Sequence, residues 1–271
     1  MAGQKVLMQL ACLLAFAALA FADEPEKLVN GRNVYTREFP YMVSIREHNS
    51  HFCGGAIIDR RVIATAGHCL LHLVGKSLDS TTVVVGSNSL SYGGKAYKLA
   101  KVIIDEKYTE PKNHVWKNDI GVIILASDIE FNNDVQPIKL ASKDVRVNEY
   151  ATISAWGMTS HPKGEVSRRL QKLDLTVIST EKCNSSFHDV NITHDQICTS
   201  LSKGSGTCHG DSGSPLAQDR ELVGIVSGGI PCAQGYPDVF TRVYKKLEFL
   251  NKYITKKHTV LRSFALDSSS I

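Results

Sequence analysis

The chain has 271 residues, 43% of them hydrophobic and 21% charged, with a formal net charge of +4. This is ordinary globular composition, without the polar excess of a disordered chain, and the length suits two small domains or one all-β unit. So small and scattered a charge points to no nucleic-acid partner.

The N-terminus reads first. Lys5 precedes the apolar run Leu10–Leu19, which ends in Ala20-Phe21-Ala22. A basic start, a short apolar run and an A-x-A site predict a signal peptide over residues 1–22. The competing reading is a membrane anchor, but the run is short for a span that needs ~20 residues. No other segment approaches that length, so a secreted, soluble protein without a membrane partner is expected. A polar piece, Asp23–Lys27, leads into Leu28-Val-Asn-Gly31.

The body that follows reads as β. Thr82–Val85 and Val122–Leu125 are β-branched runs suited to buried strands. Lys172–Ile178 alternates, with Leu173, Leu175 and Val177 on one face and Lys172, Asp174 and Thr176 on the other. Leu222–Val226 and Val239–Val243 are further strands, and Gly, Asn, Ser and Pro punctuate at hairpin-like intervals. One helix is expected over Lys245–Ile254, where Leu247, Leu250 and Ile254 recur with Lys and Glu between them. Residues 255–271 carry the densest basic cluster, Lys256-Lys257-His258, lack any period and read as a mobile tail.

Of seven cysteines, Cys12 leaves with the signal peptide, and Cys53, Cys69, Cys183, Cys198, Cys208 and Cys232 remain. An even number in a secreted chain suggests disulfides, of many formal connectivities. Order and spacing favour neighbours pairing. None of the spacings is C-x-x-C, which argues against a zinc ribbon or a thioredoxin motif.

Acyl transfer to water needs a nucleophile, a base within reach, a group orienting the base, and donors for the oxyanion. Gly210-Asp-Ser-Gly213 puts Ser212 on a tight turn, with the N–H groups of Gly210 and Ser212 available as donors. Thr65-Ala-Gly-His-Cys69 sets His68 beside a half-cystine, and Asn118-Asp-Ile-Gly121 sets Asp119 at the head of an apolar strand. Each motif alone has a bland reading as a chance turn or as packing. Together they run His, Asp, Ser, an order that differs from those of subtilisin and the α/β-hydrolases.

These segments, with Cys208–Pro215, Ser227–Cys232 and Pro237–Val243, resemble the trypsin/chymotrypsin family over about Leu28–Ile254, and the chymotrypsins of insects most. The resemblance implies an all-β protein of two six-stranded antiparallel barrels with a C-terminal helix. His68 and Asp119 would come from the first barrel and Ser212 from the second, forming a catalytic triad. It implies the pairs Cys53–Cys69, Cys183–Cys198 and Cys208–Cys232. It also implies a zymogen cut after Lys27 by a trypsin-like protease, the new ammonium of Leu28 turning inward to pair with Asp211. Protein and peptide substrates and serine protease inhibitors are the partners so implied.

The specificity pocket departs from the pattern. Gly206 stands at the expected base, where trypsins carry Asp, and Gly229 leaves the mouth open. Asp238 replaces a usual glycine. Its side chain either projects into the pocket, favouring broad specificity, or points away and leaves a plain chymotrypsin-like pocket. Phe, Tyr and Leu should be accepted either way. Gly67 replaces Ala, Ser214 replaces Gly, and Gly228 replaces a Trp beside the retained Ser227, which the family uses to support its catalytic carboxylate. Residues 86–98, where trypsins bind calcium, contain no Asp or Glu, so neither metal nor cofactor is expected. Asn184-Ser-Ser and Asn191-Ile-Thr are glycosylation sequons whose occupancy the motif leaves open. A catalytically dead binding protein and a non-proteolytic esterase are the rivals. The first lacks the missing triad residue that would mark it, and the second conflicts with the peptide-pairing segment Ser227–Gly229.

Overall fold

The computed structural model describes residues 31–110, 117–158, 164–187, 191–200, 205–230 and 232–254. The signal peptide, the Lys27–Leu28 cleavage site and the tail lie outside them. After the short β1 (Arg32–Asn33), six antiparallel strands form the first barrel. They are β2 (Met42–Glu47), β3 (Ser50–Asp59), β4 (Val62–Thr65), β5 (Thr81–Val85), β6 (Lys95–Ile104) and β7 (Gly121–Leu125), closed in the order β2-β3-β4-β7-β6-β5. Val43, Ile45, Ile63, Val83, Val122 and Ile123 are fully buried. Burial on both faces explains why β4 and β7 read as continuous apolar runs rather than as alternation.

The short β8 (Lys139–Leu140) runs parallel to β13 of the second barrel. That barrel comprises β9 (Tyr150–Ala155), β10 (Gln171–Ile178), β11 (Gln196–Ser200), β12 (Pro215–Gln218), β13 (Glu221–Gly228) and β14 (Asp238–Arg242). Its order is β10-β11-β14-β13-β12-β9, and pairing of β9 with β10 closes the ring. In β10 the alternation holds at Leu175 and Val177, both buried, against exposed Asp174.

The C-terminal helix is shorter than the expected Lys245–Ile254. A 3-10 turn, Val243–Lys246, precedes a helix of only five residues, Leu247–Asn251. Lys246 leaves helical backbone (φ −115°, ψ 8°) as its side chain turns into the protein, which interrupts the periodic stretch.

Three disulfides, Cys53–Cys69, Cys183–Cys198 and Cys208–Cys232, match the expected pairs. Bridges of this kind contribute ~2–4 kcal/mol each. Among the described residues no helix is long and apolar enough to cross a membrane.

Candidate active site

Strand β4 runs into the short helix Gly67–Leu70, which carries His68, and the Cys53–Cys69 bridge fastens that helix to β3. Asp119 lies two residues ahead of β7 and is fully buried. Its Oδ1 accepts from the His68 backbone N–H at 2.8 Å, and its Oδ2 meets His68 Nδ1 at 2.8 Å. The carboxylate only accepts, so Nδ1 of the imidazole carries a proton. Ser227 in β13 donates to the same Oδ2 at 2.6 Å, and Thr241 in β14 donates to the Asp119 carbonyl at 2.6 Å. Both barrels therefore hold one carboxylate. A Cβ on Gly67 would lie 3.3 Å from Asp119 Oδ1 and 3.0 Å from Ile104 Cγ2, so glycine avoids crowding there.

Ser212 sits ahead of β12, between Gly210 (φ +94°) and Gly213 (φ +76°), backbone conformations that favour glycine. A Cβ on Gly213 would stand 2.2 Å from Thr65 Oγ1 and 2.6 Å from the Gly54 carbonyl oxygen. Only glycine lets this loop close onto the first barrel. The Ser212 carbonyl accepts from Gly54 N–H at 2.8 Å, one residue from the cystine that anchors His68. Neither Gly210 nor Ser212 spends its backbone N–H on a backbone acceptor among the described residues.

His51 was not singled out from sequence, yet it belongs to the site. Its Nε2 lies 3.0 Å from the Gly210 carbonyl and its Nδ1 2.9 Å from Ser44 Oγ, which also accepts from Arg46 Nε. A carbonyl only accepts, so Nε2 carries the proton, and burial pushes the ring's pKa down to about 4. Neutral His51 thus pins the peptide that precedes Asp211. The available signal was its position two residues before Cys53.

Asp211 is fully buried, accepting from Gly157 N–H at 2.6 Å and Cys208 N–H at 2.7 Å. Burial pushes its pKa up to about 7 despite those bonds, and the nearby charge of Asp238 adds to the rise. No cation among the described residues neutralises it. Asp238 is 3% exposed, and its carboxylate accepts from Thr207 Oγ1 at 2.6 Å and Thr207 N–H at 3.0 Å. Burial pushes its pKa up to about 6. Thr207 directly follows Gly206, and its carbonyl accepts from Cys232 N–H at 2.8 Å. Across from it, Gly229 (φ +135°) packs its backbone against Pro237 and Asp238.

The ligand atoms of Cys53, Cys69 and His68 cluster within 4.8 Å, but the sulfurs are bonded to each other and offer no thiolate. A pocket of about 500 Å³ opens between Arg37, Asn88 and Arg169, and none of the site residues lines it. Of the sequons, Asn184 has its amide bonded at both ends to the Ile192 backbone (3.0 and 2.7 Å), whereas Asn191 is exposed.

Two closed six-stranded barrels, the first carrying the His68–Asp119 pair and the second the glycine-flanked Ser212 loop, are those of a serine endopeptidase. The sequence profile of the trypsin family matches residues 28–250, and the chain belongs to that family. It is 37% identical to Chymotrypsin-2 of Vespa crabro over 226 residues, covering 83% of this chain and 99% of the relative. It is 36% identical to Hypodermin-A of Hypoderma lineatum, covering 80% and 83%. Among solved structures, the mouse brain serine protease neuropsin superposes with a TM-score of 0.74 at 28% identity, covering 82% of this chain and 98% of that one.

Proposed function

We propose that this endopeptidase is secreted as a zymogen and acts through His68, Asp119 and Ser212. The observation that carries the reading is the clasp between barrels: Asp119 bonded to His68 and Ser227 while Gly54 holds Ser212. Ser212 Oγ attacks the scissile carbonyl as His68 Nε2 takes its proton, and the N–H groups of Gly210 and Ser212 receive the oxyanion. His68 then protonates the leaving amine. Water hydrolyses the acyl-enzyme by the same proton route. Asp119 keeps the imidazole in the Nδ1–H tautomer throughout.

Activation by a trypsin-like protease after Lys27 frees the Leu28 ammonium, which supplies the cation that Asp211 lacks. A buried carboxylate held by two amides alone stays strained toward protonation, so pairing orders the loop between Cys208 and Ser212. The pocket framed by Gly206, Ser227 and Gly229 takes Phe, Tyr and Leu, and the carboxylate of Asp238 admits Arg and Lys more weakly. Serine protease inhibitors that mimic substrate bind the same cleft. Asn191 is the accessible glycan acceptor, which peptide mapping after deglycosylation checks.

The test is activation itself. Trypsin treatment of the full chain should switch on peptidase activity with Leu28 as the new N-terminus, and Lys27→Gln should stay silent. Full activity in intact Lys27→Gln protein would refute the zymogen reading.

A further inference from the structure

Lys246 is a buried lysine outside the residues assigned above, with its side chain 7% exposed. Its ammonium lies 3.3 Å from Asp105 Oδ2, on a side chain that is also 7% exposed, and it donates to Asn118 Oδ1. A buried ammonium carries a large desolvation cost unless its partners are well placed. Here the partners are two segments of the first barrel, reached from the turn that follows β14 of the second.

Both partners bear on Asp119. Asn118, the residue before it, sits in the left-handed region (φ +53°), which Asn tolerates better than most residues. Its Nδ2 donates to the Lys107 carbonyl at 2.7 Å, so its amide is fixed at both ends. The Asn118 carbonyl then accepts from Ile120 N–H at 2.8 Å, a three-residue turn with Asp119 at its centre. Asp105 closes the other side: its N–H donates to the Ile120 carbonyl at 3.0 Å and its Oδ1 accepts from Lys107 N–H at 3.0 Å. Lys246 thus joins the residues on both sides of the Asp119 turn through one ammonium. Asp119 must meet His68 from its own barrel and Ser227 from the other at once, so its placement depends on a tie that spans both.

We propose that Lys246 is a positioning residue, whose inter-barrel bonds to Asp105 and Asn118 hold the Asp119 turn in the geometry that orients His68. This rests on the assignment of Asp119 to the catalytic machinery. Displacing an orienting group by about an ångström costs up to roughly a hundred-fold in rate. The effect falls on the chemical step, because Lys246 touches no substrate surface.

The experiment compares wild type, Lys246→Met, Lys246→Arg and the charge-free pair Lys246→Met/Asp105→Asn, each activated and counted by active-site titration. Lys246→Met should lower kcat per titrated site roughly ten- to a hundred-fold with KM within about two-fold. Lys246→Arg, which keeps a cation for both partners, should recover most of that loss. The pair should restore thermal stability without restoring kcat, and it serves as the test if Lys246→Met alone fails to fold. Wild-type kcat in either folded Met variant would overturn the positioning role. Asp119→Asn, measured alongside, separates the two readings. Its inactivation with an unaffected Lys246→Met overturns the positioning role alone, whereas an active Asp119→Asn overturns the site assignment and this inference with it.

Discussion

Asp238 and Thr207 are joined twice, the carboxylate accepting from the hydroxyl at 2.6 Å and from the N–H at 3.0 Å. Thr207 adjoins Gly206, so a buried carboxylate on β14 is fixed next to the residue expected at the pocket base. Two donors hold it in place.

Cleavage after Lys or Arg should therefore depend on Asp238. A charge-assisted hydrogen bond is worth about 1.5–3 kcal/mol, or roughly ten- to a hundred-fold in kcat/KM. Asp238→Gly should lower the Lys-to-Phe ratio by that factor while Phe cleavage persists. In wild type the ratio should fall as pH drops through about 6, where Asp238 takes up its proton. The ratio cancels any shared ionisation of the base. An unchanged ratio in Asp238→Gly would mean that the carboxylate never meets the substrate.

The same burial sets a stability trend. The folded pKa of Asp238 lies above its unfolded value, so the folded state binds more protons between about pH 4 and pH 6. Its contribution to stability is present below that window and lost as pH rises through it. Asp238→Asn can keep both bonds to Thr207 without the charge, and it also removes a cause of the raised Asp211 pKa. Scanned as the uncleaved Lys27→Gln zymogen, the Asn variant should gain on the order of 1–3 kcal/mol relative to its parent between pH 4 and pH 7. That corresponds to several degrees in Tm. A Tm difference that stays flat with pH would contradict the assigned shift.

Gly157 is the contact that admits Asp211. A Cβ there would stand 2.2 Å from the Asp211 carboxylate carbon, so the carboxylate itself must give way. Gly157→Ala should push the carboxylate off its two amides and disorder the donors at Gly210 and Ser212. Loss of one oxyanion donor costs about a hundred- to a thousand-fold in kcat, and a fall of that order is expected. Gly75→Ala is the control: it sits at φ +74° with open space around it, so backbone strain of about 1 kcal/mol is its whole cost. Equal activity in the two variants would show that Asp211 tolerates displacement.

Much of this was legible because chemistry forces short patterns. Ser212 needs glycines at positive φ on either side, and His68 needs a rigid neighbour, so each left a local signature. The strands of β5, β7 and β10 were legible as apolar runs or alternation. What stayed hidden depends on partners distant in sequence. Lys246 reads as one of the polar positions of an amphipathic helix, and only Asp105 and Asn118, more than a hundred residues away, make it a buried cation. The Asp238–Thr207 pair joins residues 31 apart in sequence, and neither segment alone signals it. His51 gained its role through Gly210, on the other barrel.

The central claim is that Ser212 is the nucleophile, and covalent labelling tests it most directly. Trypsin-activated protein treated with a fluorophosphonate should lose its peptidase activity in step with the appearance of one adduct, mapped by mass spectrometry to Ser212. Ser212→Ala should take up no label and retain less than roughly a thousandth of the wild-type rate, since what remains comes from binding and the oxyanion donors alone. An adduct on another residue, or a Ser212→Ala enzyme keeping a tenth or more of the activity, would contradict the account.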